Sequence, residues 1–171
     1  MVMSIESFSP PIELMSRPMQ AGIHFRPCRV EQFDELIAFH RSRFDKYPGW
    51  MEMHENLKTT DNVADAILAL NQEGRIVGSV LAFSPLGSSN LAKDIPWLPL
   101  IGDRCGGIAC VGVEPEHRRF GVGLGMVCEA LNELKRRGLK SCIVDWVFSR
   151  GMYERCGFQT WRNYREAWWK V

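Results

Sequence analysis

Apolar positions recur along this chain with two different periods. Between residues 31 and 45, Phe33, Leu36, Ile37, His40 and Phe44 return at steps of three or four, which predicts a helix. Pro48-Gly49 interrupts it, and a weaker helix is predicted over residues 50–57. Residues 66–71 and 75–83 are short apolar runs joined by Gln72-Glu-Gly74, the pattern of two strands and a hairpin. Residues 23–28 and the glycine-rich run 106–113 are further strands. A long helix is predicted from 121 to 137, with Val127, Ala130, Leu131 and Leu134 on one face and Gly138 at its end. A strand over 139–146, a short helix over 151–155 and two last strands, 158–161 and 164–170, complete the series. The Pro/Gly/Ser-rich stretch 84–105 is longer than ordinary connections. Residues 1–22, with Pro10, Pro11 and Pro18, read as an arm outside the core, which leaves one domain over 23–171. The order of elements predicts an α/β (α+β mixed) domain: a central mixed sheet of about six or seven strands flanked by helices.

Composition narrows the class. A chain of 171 residues with 46% hydrophobic and 24% charged residues suits one globular domain with its own core. Net charge is +1, so a nucleic-acid partner, which calls for a strongly basic balance, is not expected. No apolar run approaches the length of a membrane span, so no membrane partner is expected either. The six cysteines form no C-x-x-C pair, and the first twenty residues lack the basic-then-apolar order of a secretory signal. Free thiols in a reducing, cytoplasmic setting follow as the expectation. His24, His40, His54 and His117 are scattered without ligand spacing, so no metal is expected.

The sharpest local feature is Val113-Glu-Pro-Glu-His-Arg-Arg-Phe-Gly-Val-Gly-Leu-Gly125. A strand end, a basic loop and glycines at the mouth of a helix make an anion site: unpaired backbone N–H groups and the positive dipole end face the ligand. Glycines let a phosphate approach the backbone, and Arg118 and Arg119 add charged donors. A Walker A loop is excluded because Leu124-Gly125-Met126 lacks its Lys-Ser/Thr, and the glycine spacing and late position do not suit a dinucleotide fingerprint.

Arg118-x-x-Gly121-x-Gly123, preceded by Val113-x-Pro115, resembles the R/Q-x-x-G-x-G/A signature of the GNAT acetyltransferases. Met152-Tyr153-Glu154-Arg155-Cys156-Gly157-Phe158 is similar to the family's later motif, with Met152 where Leu or Phe is commoner. The resemblance covers about residues 23–171. It implies acetyl-CoA as cosubstrate, with the pyrophosphate held by Arg118, Arg119, Phe120, Gly121, Val122, Gly123, Leu124 and Gly125. It further implies backbone groups of Val111, Gly112 and Val113 on the pantetheine arm, between two splayed strands, and the Tyr153 hydroxyl near the sulfur as general acid. Tyr153 is otherwise a core tyrosine. For the base, Glu114, Asp145 and a water chain stand side by side.

The resemblance implies an amine as acceptor. Val144-Asp-Trp places Asp145 beside the indole of Trp146, and Tyr47-Pro-Gly-Trp50 offers Trp50 as a second wall. Aromatic faces with a nearby carboxylate suit an amino sugar, whose C–H faces stack and whose ammonium pairs. The stretch from Gly107 through Val144-Asp-Trp to the closing Gly-Phe-x-x-Trp-x-x-Tyr also resembles glucosamine and glucosaminide N-acetyltransferases. A peptide or other small-amine acetyltransferase and a non-catalytic CoA-binding module are the alternatives. The apolar segment 167–169 is a candidate homodimer edge or a buried strand.

Overall fold

A computed structural model describes residues 1–85, 97–147 and 149–163. The strands are β1 Val2–Ser4, β2 His24–Pro27, β3 Ala66–Leu70, β4 Ile76–Phe83, β5 Cys105–Val113 and β6 Ser141–Val144. The helices are α1 Ile12–Gln20, α2 Phe33–Arg43, α3 Pro48–Thr59, α4 Leu98–Ile101, α5 Val122–Arg136 and α6 Arg150–Glu154. The strands form one mixed sheet in the order β1-β6-β5-β4-β3-β2, with β5 and β6 parallel and the other pairs antiparallel.

Helices cover both faces, so β3 and β4 are buried throughout and read as unbroken apolar runs. Alternation assigns the two faces. Ile67, Ala69, Val80 and Ala82 pack with Met126, Ala130, Leu131 and Leu134 of α5. Leu68, Leu70, Leu81 and Phe83 pack with Phe33, Leu36 and Phe39 of α2.

Residues 1–22 are not a tail. β1 pairs with β6 through Val2↔Ile143, Met3↔Cys142 and Ser4↔Ser141. α1 buries Leu14 and Pro18, one turn apart, and Pro18 lies against α5. A three-residue strand carries no measurable period. Pro11 stands just before the first turn of α1, where helices tolerate it, whereas Pro18 lies inside the helix and forgoes one backbone hydrogen bond while packing on α5. Pro48-Gly49 likewise opens α3, which is longer than the predicted 50–57 helix.

Two strands are shorter than predicted. β6 stops at Val144, so Asp145 and Trp146 lie beyond it, Trp146 with φ 50 and largely exposed. Of the predicted strand 158–161 only the bridge Gln159↔Val2 forms. The predicted strand 164–170, with the proposed dimer edge, lies outside the described residues, as does half of the 84–105 connection, residues 86–96. All six cysteines are free and buried. Among the described residues no helix is long and apolar enough to cross a membrane.

Candidate active site

β5 and β6 stay paired only from Cys105↔Ser141 to Ile108↔Val144. Among the described residues no strand pairs with β5 on that side beyond Ile108, so its stretch 109–113 and the 145–147 segment border an unpaired opening. Within that stretch β5 carries a bulge. Ser79 pairs with Gly112 and Leu81 with Ala109, so Cys110 and Val111 together oppose Val80. Cys110 takes φ 53 to allow it. A bulge of this kind re-aims backbone groups out of the ladder. The residues read from sequence as backbone donors, Val111, Gly112 and Val113, form the lip of this opening.

Beyond Val113 the chain turns through a 3₁₀ segment, Pro115–Phe120, into Gly121, whose left-handed φ of 75 starts α5. The first helical hydrogen bond runs from the Gly125 N–H to the Gly121 carbonyl at 3.0 Å. The amides of Val122, Gly123 and Leu124 therefore have no acceptor within α5. Arg118 folds back, its Nε donating to the Val113 carbonyl at 3.0 Å, which ties the basic loop to the strand end. Arg119 and Phe120 are exposed on the same loop. Bare amides, a helix dipole and two guanidinium groups fit a pyrophosphate. The glycines divide in role. Gly121 and Gly123 are only partly covered, whereas Gly125 faces inward: a methyl group there would lie 2.5 Å from Phe25 Cζ and 3.1 Å from Pro18 Cγ. Gly125 is thus a packing glycine between α5, β2 and α1.

Tyr153, on α6, is mostly buried with its ring edge-on to Phe158 at 5.7 Å. Its neighbour Met152 and Val113 both flank Gly123, so α6, α5 and the end of β5 converge. Burial, reinforced by the surrounding thiols, raises the Tyr153 pKa above that of an ordinary phenol. The group therefore stays a protonated donor. Among the described residues its hydroxyl has no hydrogen-bond partner.

Glu114 is buried with both carboxylate oxygens occupied. Arg43 reaches Oε1 through Nε and Nη2 at 3.3 Å each, and Arg75 Nη2 reaches Oε2 at 3.3 Å. His117 Nδ1 stands 3.4 Å from Oε2. The carboxylate ties α2, β4 and the phosphate loop together. Glu114, Glu116 and His117 bring ligand atoms within 4.8 Å of one another, yet the two guanidinium groups on Glu114 bring positive charge to where a cation would sit. Asp145 is half-buried at the other border of the opening, and the Trp146 N–H donates to its Oδ1 at 3.0 Å.

Trp50 lies over the strand end: a methyl group on Gly112 would meet Phe44 Cε2 at 2.9 Å and Trp50 Cζ3 at 3.3 Å. Trp50 stacks on Tyr47 at 4.8 Å and packs on Phe44 at 5.4 Å, making a continuous aromatic wall. Trp146 belongs to the opposite border. Beneath the wall sits a pair that sequence reading left as an ordinary helix face. His40 and His54 are fully buried with ring centroids 3.6 Å apart. His40 Nε2 bonds Ser79 Oγ at 2.6 Å, and His54 Nδ1 donates to the Trp50 carbonyl at 2.6 Å. Since Ser79 is the strand partner of Gly112, these rings join the wall to the bulge.

The family model for the acetyltransferase (GNAT) family matches residues 29–158, and the chain belongs to that family. No curated protein matches it. Among solved structures it is similar to a GCN5-related glucosamine N-acetyltransferase region of a fungal multi-domain GH3 β-N-acetylglucosaminidase. Identity there is 30% and the TM-score 0.83, over 94% of this chain but only 19% of that one. This chain therefore spans about a fifth of that relative. It also shares its fold with the GNAT family N-acetyltransferase YhbS from Escherichia coli in complex with CoA, at 18% identity and TM-score 0.61, over 81% of this chain and 69% of that one. A GNAT acetyltransferase from Brucella melitensis in complex with acetyl-CoA matches at 17% identity and TM-score 0.58, over 82% and 85%.

Proposed function

We propose that the protein transfers the acetyl group of acetyl-CoA to the primary amine of an amino sugar, glucosamine or a glucosaminide. The observation that carries this reading is the Tyr47–Trp50–Phe44 wall against Gly112, at the lip of the opening. A flat indole beside the reacting centre suits the C–H face of a pyranose. Similarity to a glucosamine N-acetyltransferase region over nearly the whole chain supports the same acceptor.

Acetyl-CoA supplies an activated thioester, and the chain's own groups do the rest. Arg118, Arg119 and the amides at the start of α5 hold the pyrophosphate. Backbone groups of Val111, in the bulge, and of Gly112 and Val113, which pair with β4 through Ser79 and Gly78, align the pantetheine arm and polarise the thioester carbonyl. The Tyr153 phenol donates a hydrogen bond to the departing sulfur. The amine attacks only when neutral, and Asp145 is the better-placed acceptor of its proton, because both oxygens of Glu114 are taken by arginines. Asp145 also draws the ammonium form toward the opening. Glu114 acts as the post that holds the loop.

The reading is tested by incubating the protein with acetyl-CoA and single amines: glucosamine, glucosamine-6-phosphate, chitosan oligomers, spermidine and short peptides. CoA release and product mass are followed together. A product one acetyl group heavier from glucosamine or its oligomers supports the proposal. Acetylated peptides alone would replace it, and CoA binding without any product would point to a non-catalytic module.

A further inference from the structure

The segment ahead of β2 lies outside the span matched by the family model, yet it reaches the phosphate cradle. Helix α1 packs on α5 through Pro18, which lies against Gly125. One residue earlier, Arg17 crosses the mouth of α5. A methyl group on Gly121 would lie 3.8 Å from Arg17 Cδ and 4.0 Å from its Cβ. Gly121 is the turn from which the bare amides of α5 begin. Arg17 is exposed, and among the described residues its guanidinium has neither an ion pair nor a hydrogen bond.

That placement is electrostatically unusual. A cation beside a helix N-terminus meets the positive end of the dipole and is disfavoured there. The last turn of α1 compensates in part, since Arg17 is near its own helix's negative end. Arg118 and Arg119 bring the same sign to the same turn. The carboxylate of Glu114 is already held by Arg43 and Arg75. Three arginines thus stand on or beside the turn that opens α5, at the positive end of its dipole, and a phosphate-bearing ligand would offset that charge.

We infer that Arg17, delivered by the N-terminal helix, is a third phosphate-binding arginine of the acetyl-CoA site, beside Arg118 and Arg119. The inference rests on the reading of the α5 turn as the pyrophosphate cradle. It gives α1 a task in cosubstrate binding as well as in covering the core. The exposed side chain is free to close over the phosphates once they are bound.

The test is the dissociation constant of CoA for the full chain and for Arg17→Ala, Arg17→Glu, Arg17→Lys and Arg118→Ala, at two salt concentrations. Melting of each unliganded variant is recorded alongside. Arg17→Ala is expected to weaken CoA binding about five- to tenfold, Arg17→Glu more, and Arg17→Lys least, with a shallower salt dependence than the unaltered protein. Turnover with acetyl-pantetheine, which has no phosphate, should be unchanged. Normal CoA binding by Arg17→Ala with weakened binding by Arg118→Ala would overturn the role of Arg17 and leave the cradle standing. Normal binding by both would remove the cradle itself. Equal losses with CoA and acetyl-pantetheine, or a lowered melting point in Arg17→Ala, would mark a structural residue and also overturn the inference.

Discussion

The stacked His40–His54 pair makes stability depend on pH in a direction that can be worked out. Burial lowers the His40 pKa from 6.5 to about 2, with the neighbouring His54 adding to the effect. Burial lowers that of His54 to about 4, against the pull of the Trp50 carbonyl. Both rings are therefore neutral in the folded protein, while in the unfolded chain each takes up a proton near pH 6.5. For groups depressed in this way, stability is complete well above pH 6.5 and falls as the pH drops below it. At pH 5 each imidazole removes about 2 kcal/mol, so the pair removes about 4 kcal/mol relative to pH 7.5. For a domain of this size that lowers the melting point by roughly 8–16 °C.

The assay is chemical unfolding from pH 7.5 to 5, joined to an NMR titration of the imidazole rings. The unfolding free energy should approach a slope of about two protons from this pair below pH 6. His54→Gln keeps a donor for the Trp50 carbonyl but cannot titrate, and should reduce the slope by about one proton. A ring of His40 or His54 that titrates near pH 6.5 in the folded protein would refute the reasoning, as would an unchanged slope in His54→Gln.

Three further outcomes follow from the site. Tyr153→Phe should reduce kcat about 10²-fold with CoA affinity unchanged, and no limb from Tyr153 should appear in the pH–rate profile below pH 10, because burial raises its pKa; unaltered turnover would remove the phenol from the chemistry. Gly125→Val, driven into Phe25, should cost about 2–3 kcal/mol of stability and leave CoA affinity near normal; a loss of affinity without a loss of stability would return Gly125 to the phosphate cradle. Trp50→Ala should raise KM for an amino sugar about tenfold without changing KM for acetyl-CoA, and equal changes in both would contradict its place in the acceptor wall.

What was legible in the sequence was what is local. The run from Arg118 to Gly123 declares its turn and helix within a few residues, and the α5 face follows a strict period. β1 did not declare itself, because a three-residue strand is defined by its partner β6 and not by its own pattern. The bulge at Cys110 is likewise a property of the pairing of β5 with β4. The clamps on Glu114, Arg43 and Arg75, lie 71 and 39 positions away, so no local pattern announces them. His40 was placed correctly on the buried face of α2, but its stack with His54 arises only when α3 packs beside α2. Gly125 looked like its neighbours in sequence, and only the position of Phe25 separates it from them.

The central claim is that the acceptor is an amino sugar, and the ratio of kcat/KM for glucosamine to that for a peptide amine, at one saturating acetyl-CoA concentration, tests it most directly. The expected result is a preference for the sugar of about 10²-fold or more, consistent with a site shaped by an aromatic wall and a carboxylate. Equal values, or a preference for the peptide, would contradict the account.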